Sequence, residues 1–357
     1  MKTVVLEESI MQKGQGVSAG SEYLKNFISP LNAGVVERLE TAGISILGRA
    51  KMPEFGCSGL FEGYSERGDA PCHDSLVIDD LISAVADGDA SFALCNDYTG
   101  AVRRKAAASG LCYLHPTYGT VSRYGLVPSV PSMDQIGILA KSPEDAFRLL
   151  TIIAGYDSRD GVSYELGIRN EELSELGIRN EELGVAGDFS ELGMRNEELG
   201  VTYIANAGCE DVLLQYFSGG GTDNSPQVLE ILDFQYSDIL PQIMQILCCA
   251  ELTATLSRYD GIKYGYRTKD FANLRELYTK TRTEAFGLDA KLALIIGNMS
   301  LAAENYTRFY DKAMRIRRLI KESLPFDKYD VIIVPTDIGS LLPQLCGFPS
   351  LTVVSGQ

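Results

Sequence analysis

The chain has 357 residues, 45% hydrophobic and 22% charged, with a formal net charge of -16. This balance suits a globular protein with a buried core, and so acidic a surface repels a phosphate backbone, which argues against direct nucleic-acid binding. Met1–Glu8 is too acidic, and too short in apolar run, for a secretory leader. No stretch reads as the roughly 18 consecutive apolar residues of a membrane span, so no membrane association and a cytoplasmic location are expected.

In chain order, Val4–Leu6 reads as a short buried strand. Asn32 is placed to cap a helix running through Val35, Val36 and Leu39 to Gly43, and Ile44–Gly48 is the next strand. This strand–helix–strand rhythm is that of an α/β fold. Phe92–Asn96 and Leu111–Leu114 are further strands. Ser142-Pro143-Glu144-Asp145 starts a helix: a serine cap, proline in the first turn, and acids at the positive end of the dipole. Its apolar stripe is Ala146, Leu149, Leu150 and Ile153, and Gly155 stops it. Val201–Ala205, Leu229–Phe234, Val331–Pro335 and Leu351–Ser355 read as strands, and Glu304–Leu324 as one long amphipathic helix.

The segment Glu165–Leu173 recurs at Glu175–Leu183 and, with Met194, at Glu191–Leu199. The starts are separated by 10 and then 16 residues, whereas a solenoid stacks identical repeats. An inserted acidic surface segment is expected, with a docking module as the functional alternative. Ser218-Gly219-Gly220-Gly221 lacks the phosphate-cradling pattern, so no cofactor is expected.

Of the eight cysteines no two have C-x-x-C spacing. Cys72-His73, with Cys57 upstream, carries atoms suited to zinc. It lacks a second ligand pair at short spacing, so no metal is expected.

Pro116–Val127 reads Pro-Thr-Tyr-Gly-Thr-Val-Ser-Arg-Tyr-Gly-Leu-Val and continues to Ser132-Met133-Asp134-Gln135-Ile136-Gly137. This block resembles the one following the signature in the amidase-signature family, above all in A subunits of the glutamyl-tRNA(Gln) amidotransferase. Asn26–Pro30, Gly48–Phe55, Ser257–Gly261, Tyr264–Arg267, Leu277–Arg282 and Cys346–Pro349 resemble further segments of those proteins. The resemblance implies an α/β fold, a large mixed β-sheet flanked by helices. Residues 1–160 and 201–357 are then two parts of one domain, and 161–200 an insertion. It also implies that the family's N-terminal helices and a segment between Thr336 and Asp337 are missing, and that the chain stops soon after Cys346–Pro349.

The family's chemistry uses a lysine, a bridging serine and a nucleophilic serine that attacks an amide carbonyl, with backbone N–H groups in a glycine-rich turn holding the oxyanion. By the same resemblance, Glu7 stands at the lysine position, Val77 at the bridging serine and Ala101 at the nucleophile. None of the catalytic positions is therefore intact. Asp97, Gly100 and Arg103 remain from the nucleophile turn, with Gly100 the remnant of its oxyanion-binding backbone. Asp337 matches an aspartate that binds the substrate amino group. Ala293, after Lys291-Leu292, replaces the arginine that binds its carboxylate.

The resemblance implies glutamine amide hydrolysis that supplies ammonia to partner B and C subunits for tRNA-dependent glutamine formation. The three replacements point to a silent copy. Two alternatives stay open. One is an amidohydrolase rebuilt on Cys95, Cys112, His73 and His115. The other is a non-enzymatic interaction protein that uses its acidic repeat.

Overall fold

The computed structural model describes residues 2–61, 75–164, 201–204, 228–232, 234–328 and 331–352. The repeat, Cys72-His73 and Ser218–Gly221 lie outside the described residues.

The site rests on a six-stranded mixed sheet. Its strands are β1 (Thr3–Glu7), β2 (Ser45–Ala50), β3 (Phe92–Asn96), β4 (Cys112–His115), β5 (Ile136–Ala140) and β9 (Ser350–Thr352), in the order β2-β1-β3-β5-β4-β9. β1 runs parallel to β2 and β3, while β3, β5, β4 and β9 alternate antiparallel. Every residue of β3, β4 and β5 is buried. Their continuous apolar runs mark strands covered on both faces. One face packs on α1 (Gly34–Thr41) and α4 (Pro143–Ile153) through Val36, Leu39, Leu149 and Ile153. The other packs on α2 (Ser75–Ala86) and α3 (Ala101–Ala108) through Leu81, Val85, Val102 and Ala106.

A three-stranded parallel sheet of β6 (Val201–Ile204), β7 (Val228–Leu232) and β8 (Val331–Ile333) lies apart from the first. The largest apolar cluster gathers α5 (Leu240–Leu256), α7 (Leu288–Leu301) and α8 (Lys312–Ser323) with the segment Glu54–Leu60. Between α5 and α7 runs α6 (Leu274–Ala285), capped by Asn273, whose side chain accepts the Glu276 N–H. α7 crosses α5 closely. A Cβ on Gly297 would lie 2.1 Å from the Cys249 carbonyl oxygen.

The mixed sheet flanked by helices is the architecture that the motifs implied. Ser142 caps α4 as expected, accepting the Asp145 N–H. Several details differ. Asn32 does not cap α1. Ala33 holds that position without a side-chain bond, and Asn32 Oδ1 accepts the Lys13 N–H at 2.8 Å. A more distant backbone donor has claimed the side chain. The expected helix Glu304–Leu324 begins later, with a π turn at Thr307–Asp311 that runs directly into α8. Ser237–Leu256 is long and apolar enough to cross a membrane, contrary to the sequence reading. Most of it is buried, with Leu247, Cys248, Cys249 and Leu252 inside the core.

Candidate functional site

β1 lies beside β3 and so brings Glu7 to the start of the turn that leads into α3. The Glu7 carboxylate is buried. Its Oε2 accepts the Ser9 hydroxyl at 2.5 Å and the Asn96 N–H at 3.0 Å. Burial raises its pKa from 4.5 to about 7. The two hydrogen bonds oppose the rise, nearby Asp97 adds to it, and Arg49 works against it. Glu7 therefore exchanges a proton near neutrality, but its hydroxyl neighbour Ser9 is itself 1% exposed and closed to a substrate.

The turn is braced from three directions. Asp97 Oδ1 accepts the Val102 N–H and Oδ2 the Arg103 N–H, both at 3.0 Å. This occupies two donors at the α3 N-terminus. Gln344 Nε2 donates to the Asp97 carbonyl at 2.9 Å. Arg103 Nη1 donates to the Gly339 carbonyl and Ser350 Oγ, and Arg104 Nη1 to the Thr99 carbonyl and Ser340 Oγ. Gly100 sits at φ +74, and a Cβ there would lie 2.2 Å from the Ser340 carbonyl oxygen. Only glycine suits both conditions.

Ala101 opens α3 and is buried. A Cβ built on Gly59 would lie 3.2 Å from its methyl and 2.4 Å from Thr99 Oγ1. Thr99 and Ala101 thus pack directly against the Glu54–Leu60 segment. Val77, which the resemblance sets at the bridging serine, lies in α2. The side chains of Val77 and Asp337 lie outside the described residues. Ala293 is fully buried on the inner side of α7.

Cys95 and His115 stand on the α3 side of the sheet, separated by β5. The ring of Tyr113 lies over Gly137 between them, since a Cβ on Gly137 would meet the Tyr113 hydroxyl at 2.1 Å. Cys95 Sγ lies 3.9 Å from that hydroxyl. Burial holds the Cys95 thiol well above its usual pKa and His115 well below, so neither carries the charge of a thiolate–imidazolium pair. Cys112 belongs to the same strand as His115, and burial raises its thiol too. Cys57 Sγ donates to the Glu54 carbonyl. Among the described residues no group of His, Cys, Asp and Glu is arranged to hold a metal ion.

The structure adds a buried pair, Asp134 and Asn96, that the sequence reading did not single out. Asp134 accepts from Asn96 Nδ2 at 2.8 Å and from the N–H groups of Ser129 and Val130. It anchors the strand end from which the turn departs. The signal was present, since Asp134 falls within the Ser132–Gly137 block.

Residues 3–64, 83–187 and 224–342 match the family model described as Amidase. The A subunit of the glutamyl-tRNA(Gln) amidotransferase of Lachnoclostridium phytofermentans is 34% identical over 347 residues, 93% of this chain and 66% of the relative. Its counterpart in Trichodesmium erythraeum is 33% identical over 345 residues, covering 93% and 68%. Among solved structures, the A subunit of the same enzyme from Thermotoga maritima superposes with a TM-score of 0.67 at 22% identity, over 99% of this chain and 75% of that one. The peptide amidase from Stenotrophomonas maltophilia gives 0.69 at 23%, over 100% and 76%. The chain spans about two thirds to three quarters of the length of these relatives. With the family match over most of its length, and with this sheet and turn, the chain belongs to the amidase-signature family.

Proposed function

We propose that the chain is an A-subunit-like amidase-signature protein with a silent amide-hydrolysis site. It acts by assembling with the B and C subunits of a tRNA-dependent amidotransferase in the cytoplasm. One observation carries the reading. Where the family pattern puts the attacking serine, a buried methyl group, that of Ala101, packs against the Glu54–Leu60 segment. A methyl has no lone pair to attack a carbonyl. Glu7, at the lysine position, has a proton to exchange but no attacking hydroxyl at position 101 to activate. The assembly role is supported by the relatives, which by name are A subunits of an amidotransferase.

The test is ammonia release from glutamine by the purified chain, alone and mixed with B and C subunits, together with co-elution of the three. No ammonia above the blank, with co-elution, is the expected result. Ammonia release by the wild-type chain alone would overturn the silent site, and failure to co-elute would overturn the assembly role. The triple substitution Glu7→Lys, Val77→Ser and Ala101→Ser asks separately whether the scaffold still supports the chemistry.

A further inference from the structure

Beneath the Asp97–Arg103 turn, on the α3 side of the sheet, four polar side chains are almost fully enclosed. Arg103 is 0% exposed, Gln344 1%, and His115 and Gln135 2% each. Each glutamine is oriented by one bond. Gln344 Nε2 donates to the Asp97 carbonyl, and Gln135 Nε2 to the Pro116 carbonyl. Arg103 spends Nη1 on the Gly339 carbonyl and Ser350 Oγ. Arg103 Nε faces the Asp97 carboxylate as an ion pair but makes no hydrogen bond, and four atoms have no partner in the protein: Arg103 Nη2, His115 Nδ1, Gln135 Oε1 and Gln344 Oε1.

These groups share one region of the fold. Ser350, which receives Arg103, is the cross-strand neighbour of His115. Gln135 bonds the residue after His115, and its own N–H bonds Asn96, next to Asp97. Gln344 grips Asp97, whose carboxylate lies 3.7 Å from Arg103 Nε. Buried polar atoms in folded proteins are paired, because each one left bare carries its full desolvation cost. Four together would rival the whole stability of a domain.

The unfilled atoms define what can satisfy them. Arg103 offers donors, while the two amide oxygens offer only acceptors. An anion would meet two carbonyl-type oxygens and the Asp97 carboxylate, and an apolar group would satisfy nothing. The partner must donate and accept at once and be small enough for an enclosed space, which is the chemistry of water. We propose that Arg103, His115, Gln135 and Gln344 form an internal hydration site. One or two bound waters there link the C-terminal segment Gly339–Thr352 to the turn that opens α3. Gln344 and Gln135 are then positioning residues that act on the turn through shared solvent.

A crystal structure at about 1.5 Å is expected to show ordered water within hydrogen-bond reach of Arg103 Nη2 and of Gln344 Oε1 or Gln135 Oε1. A dry site, with Arg103 bonded directly to either glutamine, would overturn the proposal. In solution, Gln344→Met and Gln135→Met keep side-chain length and remove the amide. Each is expected to lower Tm by roughly 2–6 °C. Their double variant is expected to lose less than the sum, because both amides serve the same water. Strictly additive losses would place the two residues in separate roles and overturn the shared site. If a variant fails to fold, the density in the wild-type crystal decides.

Discussion

The Asp97 carboxylate and the Arg103 guanidinium face each other inside the protein, Oδ2 to Nε at 3.7 Å, each side chain 1% exposed. The same carboxylate receives the N–H groups of Val102 and Arg103, so one side chain is both counter-ion and helix cap. Removing it strands a buried cation and two backbone donors. Asp97→Ala is expected to cost about 3–5 kcal/mol in unfolding free energy, measured by chemical denaturation. Asp97→Asn retains one acceptor and is expected to recover part of the loss. A cost below about 1 kcal/mol for Asp97→Ala would mean that Arg103 finds its compensation elsewhere.

The pH dependence of stability should carry the mark of Glu7. Unfolded, its carboxyl titrates near 4.5, and folded, near about 7. Between these values the folded chain holds a proton that the unfolded chain releases. The stability this group contributes is fully present below pH 4.5 and is lost as pH rises through 7, a swing of about 3 kcal/mol. Glu7→Gln keeps an oxygen to accept from Ser9 and Asn96, so it should abolish this fall in stability with rising pH. Buried His115 works in the opposite sense. Its folded pKa lies well below 6.5, so protonation of the unfolded chain removes stability as pH falls below 6.5. Its window overlaps that of Glu7, so in Glu7→Gln stability should rise with pH up to 6.5. A slope between pH 4.5 and 7 unchanged by the substitution would show that Glu7 is not the titrating group.

Gly297 tests the packing of α7 on α5. In an exposed helix interior, glycine to alanine adds roughly 1 kcal/mol of stability. Here the added methyl would lie 2.1 Å from the Cys249 carbonyl oxygen and 2.2 Å from Thr253 Oγ1. Backbone cannot yield cheaply, so the sign should reverse, with Gly297→Ala destabilising by about 1–3 kcal/mol. Thermal unfolding followed by circular dichroism would show the direction.

Cys95 should be inert in the folded protein. Its thiol is fully buried and held well above its usual pKa. Iodoacetamide at pH 8, read by peptide mass spectrometry, is expected to leave Cys95 unmodified until denaturant is added. Rapid native alkylation would revive a cysteine-based mechanism.

Local signals were strong enough to be read directly wherever one short stretch carried the whole instruction. The apolar run Phe92–Asn96 is a buried strand, and the Ser142 cap with its proline and acids starts a helix. Two kinds of feature were not read this way. α2 was not singled out because the resemblance implied a glycine loop there, although Ile78, Leu81, Ile82 and Val85 suit a helix face. Asn32 has the chemistry of a cap, but the distant Lys13 N–H took its side chain.

By itself the sequence determined the α/β class and the family, since these depend on residue type and short-range order. Tertiary structure alone decided that Glu7 titrates near neutrality, because that follows from burial and not from the residues beside it. It also decided that Arg103 and Asp97 are held by Gly339, Gln344 and Ser350. Those partners lie more than 230 positions along the chain. No local pattern encodes a contact that exists only once the sheet has brought both ends of the chain together.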